Sequence, residues 1–458
     1  MAFSSDAEAC DLSVVGHVVT SRGLLLRGEV RIRDGKVVEV RPEAGDASGA
    51  RRIDVGDAFV LPGLIDPHVH SLSDLSEGIA AATRSAAAGG VTTILEMPFD
   101  DGAPVWTVER LEAKKAMVAE EAHVDVGLFA TVRPGGGVRD VAALAEAGAV
   151  TFKVSTYHTH PDRFPRTPDD ELREVFAAIA ATGRRVCVHA ENDEIVKRLV
   201  AELQEAGRTD PRAHCESRPP VTETVAIANV LELAREAAAQ VHFCHMSLPH
   251  SIELIRAYAA EGDPVSGEIC PHYLLLSEDD MEAMGPRAKI NPPVRSAPDV
   301  AGLWDLFRRG EIDVLSSDHA PWPLTKKDKP NIFDNASGAP GVETLFNVTA
   351  GEALARGVPL ADLVGVATWK TARLFGIAHR KGDLAPGLDG DIAVFDPSVE
   401  WTLDQADLHS NAGWSPYHGR RLKGRVTMAI SRGEVVYDGA VRSQPGRGEL
   451  VRHERDVR

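Results

Sequence analysis

The hydrophobic pattern divides the chain into two kinds of segment. Over residues 12–60, and again over 391–437, short stretches alternate apolar and polar residues between turn residues, which is typical of antiparallel strands. Over residues 61–376, apolar strand-like runs alternate instead with helical stretches such as 170–180 and 222–239. The predicted strands of this middle part end at eight positions: His70, Met97, Thr131, Ser155, His189, His245, Ile269 and Ser317.

Eight strands that alternate with helices predict an α/β fold, a (β/α)8 TIM-type barrel rather than an open doubly wound sheet. We expect the two β-rich chain ends, residues 1–60 and 377–458, to pair into one small β-sandwich domain. The barrel, residues 61–376, is then inserted between them. The tail after Gly439 is mostly polar, and we expect it to be mobile.

Composition excludes several classes of function. The chain has 50 basic and 68 acidic residues and a net charge of −18, which argues against nucleic acid or an anionic membrane as partner. No apolar run is long enough to cross a bilayer, and no secretory signal is evident at the N-terminus. The five scattered cysteines form neither a disulfide framework nor a zinc knuckle, so we expect a cytoplasmic protein.

Residues that can ligate a metal stand at the carboxyl ends of the predicted strands. Active sites of barrels lie at this end, and alternate residues of a strand share one face, so these side chains are expected to converge. Imidazole and carboxylate groups are common zinc ligands. The candidates are His68, His70, His189, His245 and Asp318, and Lys153 stands among them in an otherwise apolar strand.

Each candidate, considered alone, has a simpler interpretation. A single histidine in an apolar strand is commonly a hydrogen-bonded core residue, and we assign His242 to that class because it alternates onto the opposite face from His245. Asp318 is compatible with a capping role. Lys153 is compatible with a buried ion pair or a Schiff-base lysine. Their coincidence at successive strand ends favours a metal site.

Nine short motifs occur in order along nearly the whole chain. They are Gly63-Leu-Ile-Asp-Pro-His-Val-His70, Phe152-Lys153, Val188-His-Ala-Glu191, His245-Met-Ser247, Cys270-Pro-His-Tyr273, Asn291-Pro-Pro-Val-Arg295, Ser317-Asp-His-Ala-Pro321, Gly338-Ala-Pro-Gly-Val-Glu343 and Ser415-Pro-Tyr-x-Gly419. This set resembles the cyclic amidohydrolases, the group within the amidohydrolase superfamily that contains allantoinases, hydantoinases (dihydropyrimidinases) and dihydroorotases.

The resemblance implies a site for two divalent metal ions, for which zinc suits these ligand types best. Lys153, carboxylated to N6-carboxylysine, would bridge the two ions. The other ligands would be divided between them: His68, His70 and Asp318 hold the first ion, and His189 and His245 the second.

The resemblance also implies a reaction and an assembly. A hydroxide shared by the two ions would attack the carbonyl carbon of a small cyclic amide. Asp318 would take the proton of that hydroxide and deliver it to the leaving ring nitrogen, as general base and then general acid. The family further implies a homodimer or a homotetramer.

Few positions distinguish the three subfamilies. Dihydroorotases carry an arginine two residues after the His-x-His motif, where this chain has Leu72, so this activity is disfavoured. Hydantoinases place a tyrosine after the lysine; Tyr157 is offset by one residue, and it is either an oxyanion donor or an ordinary loop aromatic. The following His158-Thr-His160 lies in a proline-rich loop and is expected to be a lid or surface feature.

The remaining differences favour allantoinase by a small margin. Leu95-Glu-Met-Pro98 and Ser217-Arg-Pro-Pro220 match allantoinases, whereas the stretch 336–341 is closer to hydantoinases. Asn291 and Ser337 would hold the amide edge of the ring, chiefly through backbone groups. We therefore expect hydrolysis of allantoin or a similar ureide or hydantoin, with hydantoinase (dihydropyrimidinase) as the alternative. A non-catalytic scaffold homologue is disfavoured because none of the six ligand positions is vacant.

Overall fold

The structure is a computed structural model that describes residues 10–45 and 49–457. The strands, in chain order, are β1 (Leu12–Thr20), β2 (Gly23–Arg33), β3 (Lys36–Arg41), β4 (Arg51–Pro62), β5 (Leu64–Val69), β6 (Val91–Glu96), β7 (Asp125–Ala130), β8 (Thr151–Ser155), β9 (Val186–His189), β10 (Val241–Phe243), β11 (Val265–Ile269), β12 (Val314–Leu315), β13 (Ile392–Thr402), β14 (Arg421–Ser431) and β15 (Glu434–Tyr437).

The α-helices are α1 (Gly78–Ala88), α2 (Val108–Glu121), α3 (Val141–Glu146), α4 (Asp169–Thr182), α5 (Asp193–Glu205), α6 (Pro211–Glu216), α7 (Pro220–Glu236), α8 (Pro249–Ala260), α9 (Pro271–Leu275), α10 (Glu278–Met284), α11 (Ala297–Arg308), α12 (Ala350–Ala355), α13 (Leu360–Gly365) and α14 (Trp369–Leu374). Short 3-10 turns cover Gly285–Ala288, Leu324–Lys326, Ile332–Asp334, Gln405–Asp407 and Glu454–Asp456. Within the described ranges, no helix is long and apolar enough to span a membrane.

Strands β5 to β12 form the predicted parallel barrel. They pair in sequence order, and backbone hydrogen bonds between the first and last strands bring the ends of the sheet together: His70 N–H donates to the His319 carbonyl at 2.8 Å, and His319 N–H to the His68 carbonyl at 3.2 Å. Each strand ends within two residues of its predicted end. These strands are mostly apolar because helices cover the sheet, and their few charged residues, such as Lys153 and Glu268, are buried.

The predicted helices form where local chemistry favours them. Helix α4 covers the predicted stretch 170–180 and begins with three acidic residues, Asp169, Asp170 and Glu171, which complement the positive end of the helix dipole. It ends at Gly183, whose φ of 70° lies in the left-handed region that glycine adopts without strain. Helix α7 covers most of the second predicted stretch.

Both chain ends contribute to one seven-stranded sheet, in the order β15-β14-β13-β4-β1-β2-β3. Strand β4 runs antiparallel to β13, as expected of the paired ends, but parallel to β1, so the N-terminal unit is not wholly antiparallel. Gly63 connects this sheet to the barrel. A Cβ atom there would lie 2.1 Å from Thr92 Oγ1 and 2.7 Å from Asp391 Cβ, so only glycine fits the close approach. The domain limits at residues 60 and 376 stay predictions.

The C-terminal tail packs against the barrel, contrary to the expectation that it is mobile. Val126 N–H donates to the Glu449 carbonyl, and Val451 N–H to the Val126 carbonyl, both at 2.9 Å. Val451 is buried, and Asp456 forms an ion pair with Arg184. The polar composition of the tail conceals this anchoring because few of its residues enter the core.

A buried ion cluster joins the barrel to the second sheet. The carboxylates of Asp125, Asp389 and Asp391 lie close enough together to hold a metal ion, but the ammonium of Lys381 stands among them. Lys381 Nζ lies 2.6 Å from the carboxylate of Asp125, 2.8 Å from that of Asp389 and 2.7 Å from that of Asp391. The cluster is therefore a structural salt bridge that already has its cation.

We expect Lys381→Met to destabilise the protein by about 3–5 kcal/mol, because it leaves the buried Asp391 carboxylate without its cation, whereas Asp125 and Asp389 still contact Arg380. The free energy of unfolding in urea measures the effect. Lys370→Met is the matched control: Lys370 pairs with Asp362 at 3.0 Å on the half-exposed surface and should cost less than about 1 kcal/mol. Equal stability of the two variants would contradict this role of Lys381.

Candidate metal and active site

All six predicted ligand residues converge at the carboxyl end of the barrel. His68 lies in β5 and His70 just beyond it, while the other four come from β8, β9 and the segments after β10 and β12. All six are buried, and all line a single cavity: His68, His70, Lys153, His189, His245 and Asp318. The structure thus brings together every residue of the predicted set.

His68 is at the centre of the first group. Its Nε2 lies 3.2 Å from His70 Nε2, 3.1 Å from Asp318 Oδ1 and 3.3 Å from Lys153 Nζ. Its other ring nitrogen, Nδ1, donates to the carboxylate of Glu268, which leaves the Nε2 lone pair of a neutral ring directed at the cavity. The ligand atoms of His68, His70 and Asp318 all lie within 4.8 Å of one another. This spacing suits a single ion.

His189 and His245 form a second pair beside the first. His189 Nδ1 lies 2.9 Å from His245 Nε2, while His189 Nε2 donates to Glu191 Oε2 at 2.9 Å. The ring centroids of His245 and His68 are 5.4 Å apart, so the two groups share one space. Each of these imidazoles can present an unprotonated nitrogen to a cation.

Burial keeps His68, His70 and His245 neutral, as metal ligands must be. It lowers the pKa of His68 to about 4 and holds the pKa values of His70 and His245 well below the usual range. Imidazole lone pairs that face one another at 2.9–3.2 Å repel unless a proton or a cation lies between them. The donor set therefore fits divalent metal ions.

Lys153 is the exception in this set because its ammonium form is positively charged and has no lone pair for a metal ion. Burial opposes its ammonium form, but the interaction with the Cys244 thiol and the negative charges of Glu268 and Asp318 outweigh burial and raise its pKa. Its Nζ nevertheless contacts His68 Nε2 and belongs to no ion pair among the described residues. A buried ammonium without a carboxylate partner is costly, which indicates that the lysine has a role other than a structural salt bridge.

Backbone strain also marks two of the candidate ligands. His245 and Asp318 have φ values of 44° and 46°, in the left-handed region that non-glycine residues rarely adopt. Such a residue costs about 1–3 kcal/mol, and such strain tends to occur at functional sites. Each of the two residues follows the end of a strand, and its backbone conformation turns the side chain into the cavity.

The predicted substrate residues lie around the same space. Asn291 and Ser337 line the cavity together with the candidate ligands. The side-chain oxygen Oδ1 of Asn291 is buried without a hydrogen-bond partner in the described part of the chain. The backbone carbonyl of Ser337 accepts from Trp322 Nε1 at 2.8 Å.

Tyr157 lies next to this cavity rather than in its wall. It borders an adjoining space that Asn291 and Ser337 also line, and its ring centroid is 6.2 Å from that of His189. Arg218 Nη2 donates to the phenol oxygen at 3.0 Å. The structure therefore leaves the phenol proton free to donate elsewhere.

Sequence reasoning missed Glu268, which supports the first group from behind. One oxygen accepts from His68 Nδ1 and, at 3.2 Å, from the backbone N–H of His245. The other accepts from His242 Nε2 at 3.1 Å, so His242 is the hydrogen-bonded core residue expected of it. The sequence signal that could have identified Glu268 is the presence of an acidic residue inside the buried strand Val265–Ile269.

We expect Glu268→Gln to weaken metal binding by about 10–100-fold, because an amide orients the His68 ring less firmly and lowers its basicity. Competition between the protein and a chelator measures the affinity. Glu261→Gln, a change at an exposed ion pair with Arg235, should leave it unchanged. The same chelator midpoint for both variants would show that Glu268 does not support the ligands.

Residues 59–436 match the amidohydrolase family, well over half of the chain. The chain belongs to the amidohydrolase family. The family is metal-dependent, in keeping with the donor set of the cavity. The family resemblance predicted from the motifs and the barrel fold predicted from the hydrophobic pattern are thus confirmed.

Relatives and solved structures match this amidohydrolase over nearly its whole length. An L-hydantoinase of Paenarthrobacter aurescens is 35% identical over 443 residues, which cover 95% of this chain and 96% of the relative. An allantoinase of Rubrobacter xylanophilus is 36% identical over 454 residues, which cover 98% of this chain and 99% of the relative. The structure of L-hydantoinase (dihydropyrimidinase) from Arthrobacter aurescens has a TM-score of 0.93, 34% identity and coverage of 97% and 100%. The chain is thus about equally similar to allantoinases and hydantoinases.

Proposed function

We propose that this amidohydrolase opens the ring of a cyclic amide by metal-dependent hydrolysis, with allantoin or a similar ureide or hydantoin as substrate. The observation that carries the proposal is the convergence of six buried ligand-type side chains on one cavity that Asn291 and Ser337 also line. The similarity to allantoinases and hydantoinases over the whole chain supports the same reaction class.

We assign two divalent metal ions to this cavity, and zinc suits the ligands best. His68, His70 and Asp318 would hold one ion, and His189 and His245 the other. Lys153, as N6-carboxylysine, would place an anion between them, which accounts for a lysine that forms no ion pair with a carboxylate in the described part of the chain. When bound, such ions activate water for attack near neutral pH and polarise a carbonyl group.

Asp318 is the residue that we propose moves the proton. Its Oδ1 lies against His68 Nε2, while the described residues donate no hydrogen bond to the other oxygen. Burial raises the pKa of Asp318 to about 8 in the metal-free cavity, and a bound cation would lower it, so that Asp318 faces the attacking water as a carboxylate. A group of this kind can accept a proton from the attacking water and return it to the leaving ring nitrogen.

Three residues would hold the ring. Asn291 and Ser337 would bind its amide edge, chiefly through backbone groups. Tyr157 would donate its phenol proton to the oxygen of the attacked carbonyl, because Arg218 already occupies the acceptor side of that phenol. This arrangement favours hydantoinase (dihydropyrimidinase) as the second candidate function, since the tyrosine is typical of that group.

The other candidates have less support. Leu72 is buried at the position where dihydroorotases carry an arginine. A non-catalytic scaffold would not need six converging ligand positions. From the family resemblance we further propose a homodimer or a homotetramer, and from the five unpaired cysteines a cytoplasmic location.

A ring-opening screen of the metal-loaded protein tests the proposal. Allantoin, hydantoins, dihydropyrimidines and dihydroorotate are offered at equal concentration, and loss of the ring is followed for each. We expect allantoin to be opened fastest; faster opening of a hydantoin or dihydropyrimidine would support the second candidate. If the metal-loaded protein opens none of these rings, the proposed function is wrong.

A further inference from the structure

One cation in the wall of the substrate cavity has no acidic partner. Arg163 lines the cavity, and its Nη1 donates to Ser73 Oγ at 3.1 Å. Its guanidinium carbon lies 5.0 Å from the centroid of the Trp322 ring. Within residues 10–45 and 49–457, no carboxylate oxygen comes within 4.0 Å of the guanidinium nitrogens. A guanidinium has five N–H donors, so most of those of Arg163 are unused.

Two of the three acids whose charges act on Arg163 are already paired with lysines, and the third, Asp101, is exposed and forms no ion pair with Arg163 among the described residues. Asp74 binds Lys326 Nζ at 2.7 Å, and Asp100 binds Lys114 Nζ at 2.6 Å. Burial lowers the pKa of Arg163, and the carboxylates of Asp101, Asp100 and Asp74 only partly oppose this shift. The positive charge of Arg163 therefore remains available to a ligand in the cavity.

Packing of the loop directs this charge toward the candidate metal site. Phe164, the next residue, stacks on Phe99 with ring centroids 3.7 Å apart and meets the His189 ring edge-on at 5.7 Å. Ser73 Oγ also lies 3.3 Å from His70 Nδ1, so one hydroxyl group separates Arg163 from a candidate ligand. Arg163 is thus beside the place where the ring would bind, without being a ligand itself.

We propose that Arg163 binds a carboxylate on the substituent of a hydantoin ring, so that among hydantoins of the same size this enzyme prefers those with an acidic side chain. The inference rests on the proposed function and adds a substrate class to it. The planar guanidinium can hold a carboxylate through two parallel hydrogen bonds. Leu72 removes the carboxylate-binding arginine that dihydroorotases carry after the His-x-His motif, whereas Arg163 supplies a guanidinium from a different loop.

A matched pair of substrates tests the proposal: a hydantoin with a carboxymethyl substituent and the isosteric hydantoin with a carbamoylmethyl substituent. In the wild type, we expect kcat/KM to be higher for the acid. In Arg163→Gln, kcat/KM for the acid should fall about 10–100-fold, which is the contribution of hydrogen bonds to a charged group, and kcat/KM for the amide should change little. Arg166→Gln is the control because Arg166, in the same loop, pairs with Asp193 and Glu194 instead of facing the cavity.

Equal losses on both substrates in Arg163→Gln, or a wild type that prefers the amide, would overturn the proposal. Calorimetric binding of the two hydantoins to the metal-loaded proteins separates this result from failure of the proposed function. If neither ring is opened, the proposed function fails. In that case, the proposed role of Arg163 still predicts that the wild type binds the acidic hydantoin more tightly than the amide, and that this difference is lost in Arg163→Gln. Equal binding of the two hydantoins to the wild type would overturn the role.

Discussion

The Asp318→Asn variant is expected to lose nearly all turnover, about 100- to 10,000-fold, while keeping its fold. Asparagine has the shape of aspartate but does not accept a proton from the attacking water or return one to the leaving nitrogen. The fold should persist because asparagine tolerates the left-handed φ of 46° at this position better than most residues do. Turnover on the best substrate of the screen, together with the unfolding curve, measures both effects.

Asp313→Asn is the control for this variant. Asp313 lies at the opposite end of β12, where it accepts from the backbone N–H of Gly267 at 3.1 Å, away from the cavity. Its replacement should leave turnover within a few-fold of the wild type. If Asp318→Asn retained similar turnover, the proton would have to move through another group.

The second large effect is expected for Lys153→Ala. This variant should bind less metal and therefore lose most of its activity. The side chain of Lys153 is fully buried, so its truncation removes the proposed bridging anion and opens a space beside His68. A short carboxylic acid such as acetate can enter that space and supply an anion. We therefore expect partial recovery of activity when the acid is added, and elemental analysis gives the metal content.

Lys327→Ala separates a metal effect from the simple loss of a buried lysine. Lys327 is also buried, but its Nζ donates to the carbonyls of Lys289, Ala336 and Gly338 at 2.8, 3.0 and 2.7 Å. Its replacement should loosen that loop, leave the metal content unchanged and show no response to acetate. Wild-type metal content in Lys153→Ala would exclude the bridging role.

The barrel and the candidate ligands were predictable from the sequence for a definite physical reason. Parallel strands covered by helices are apolar throughout, so each polar residue at a strand end, such as His189 or Asp318, stands out. Barrel geometry then brings these ends together without any knowledge of the loops. Predicting the ligand positions therefore required only the order of the strands, which the short connections and the alternation with helices largely determine.

The features that sequence reasoning missed depend on long-range packing or on loop conformation. Glu268 supports His68 from 200 residues away, and the hydrophobic pattern holds no information on which buried acid meets which histidine. Arg163 enters the cavity only because the proline-rich loop folds inward at Phe164. The parallel pairing of β1 with β4 and the anchoring of the tail likewise follow from tertiary contacts, not from local preference.

The most direct test of the central claim is a titration of the metal-free protein with zinc while ring opening is followed. Six ligand positions around one cavity predict that the metal-free protein is inactive and that activity rises with added zinc until two ions are bound per chain. Full turnover without metal, or a plateau below one ion per chain, would contradict the account.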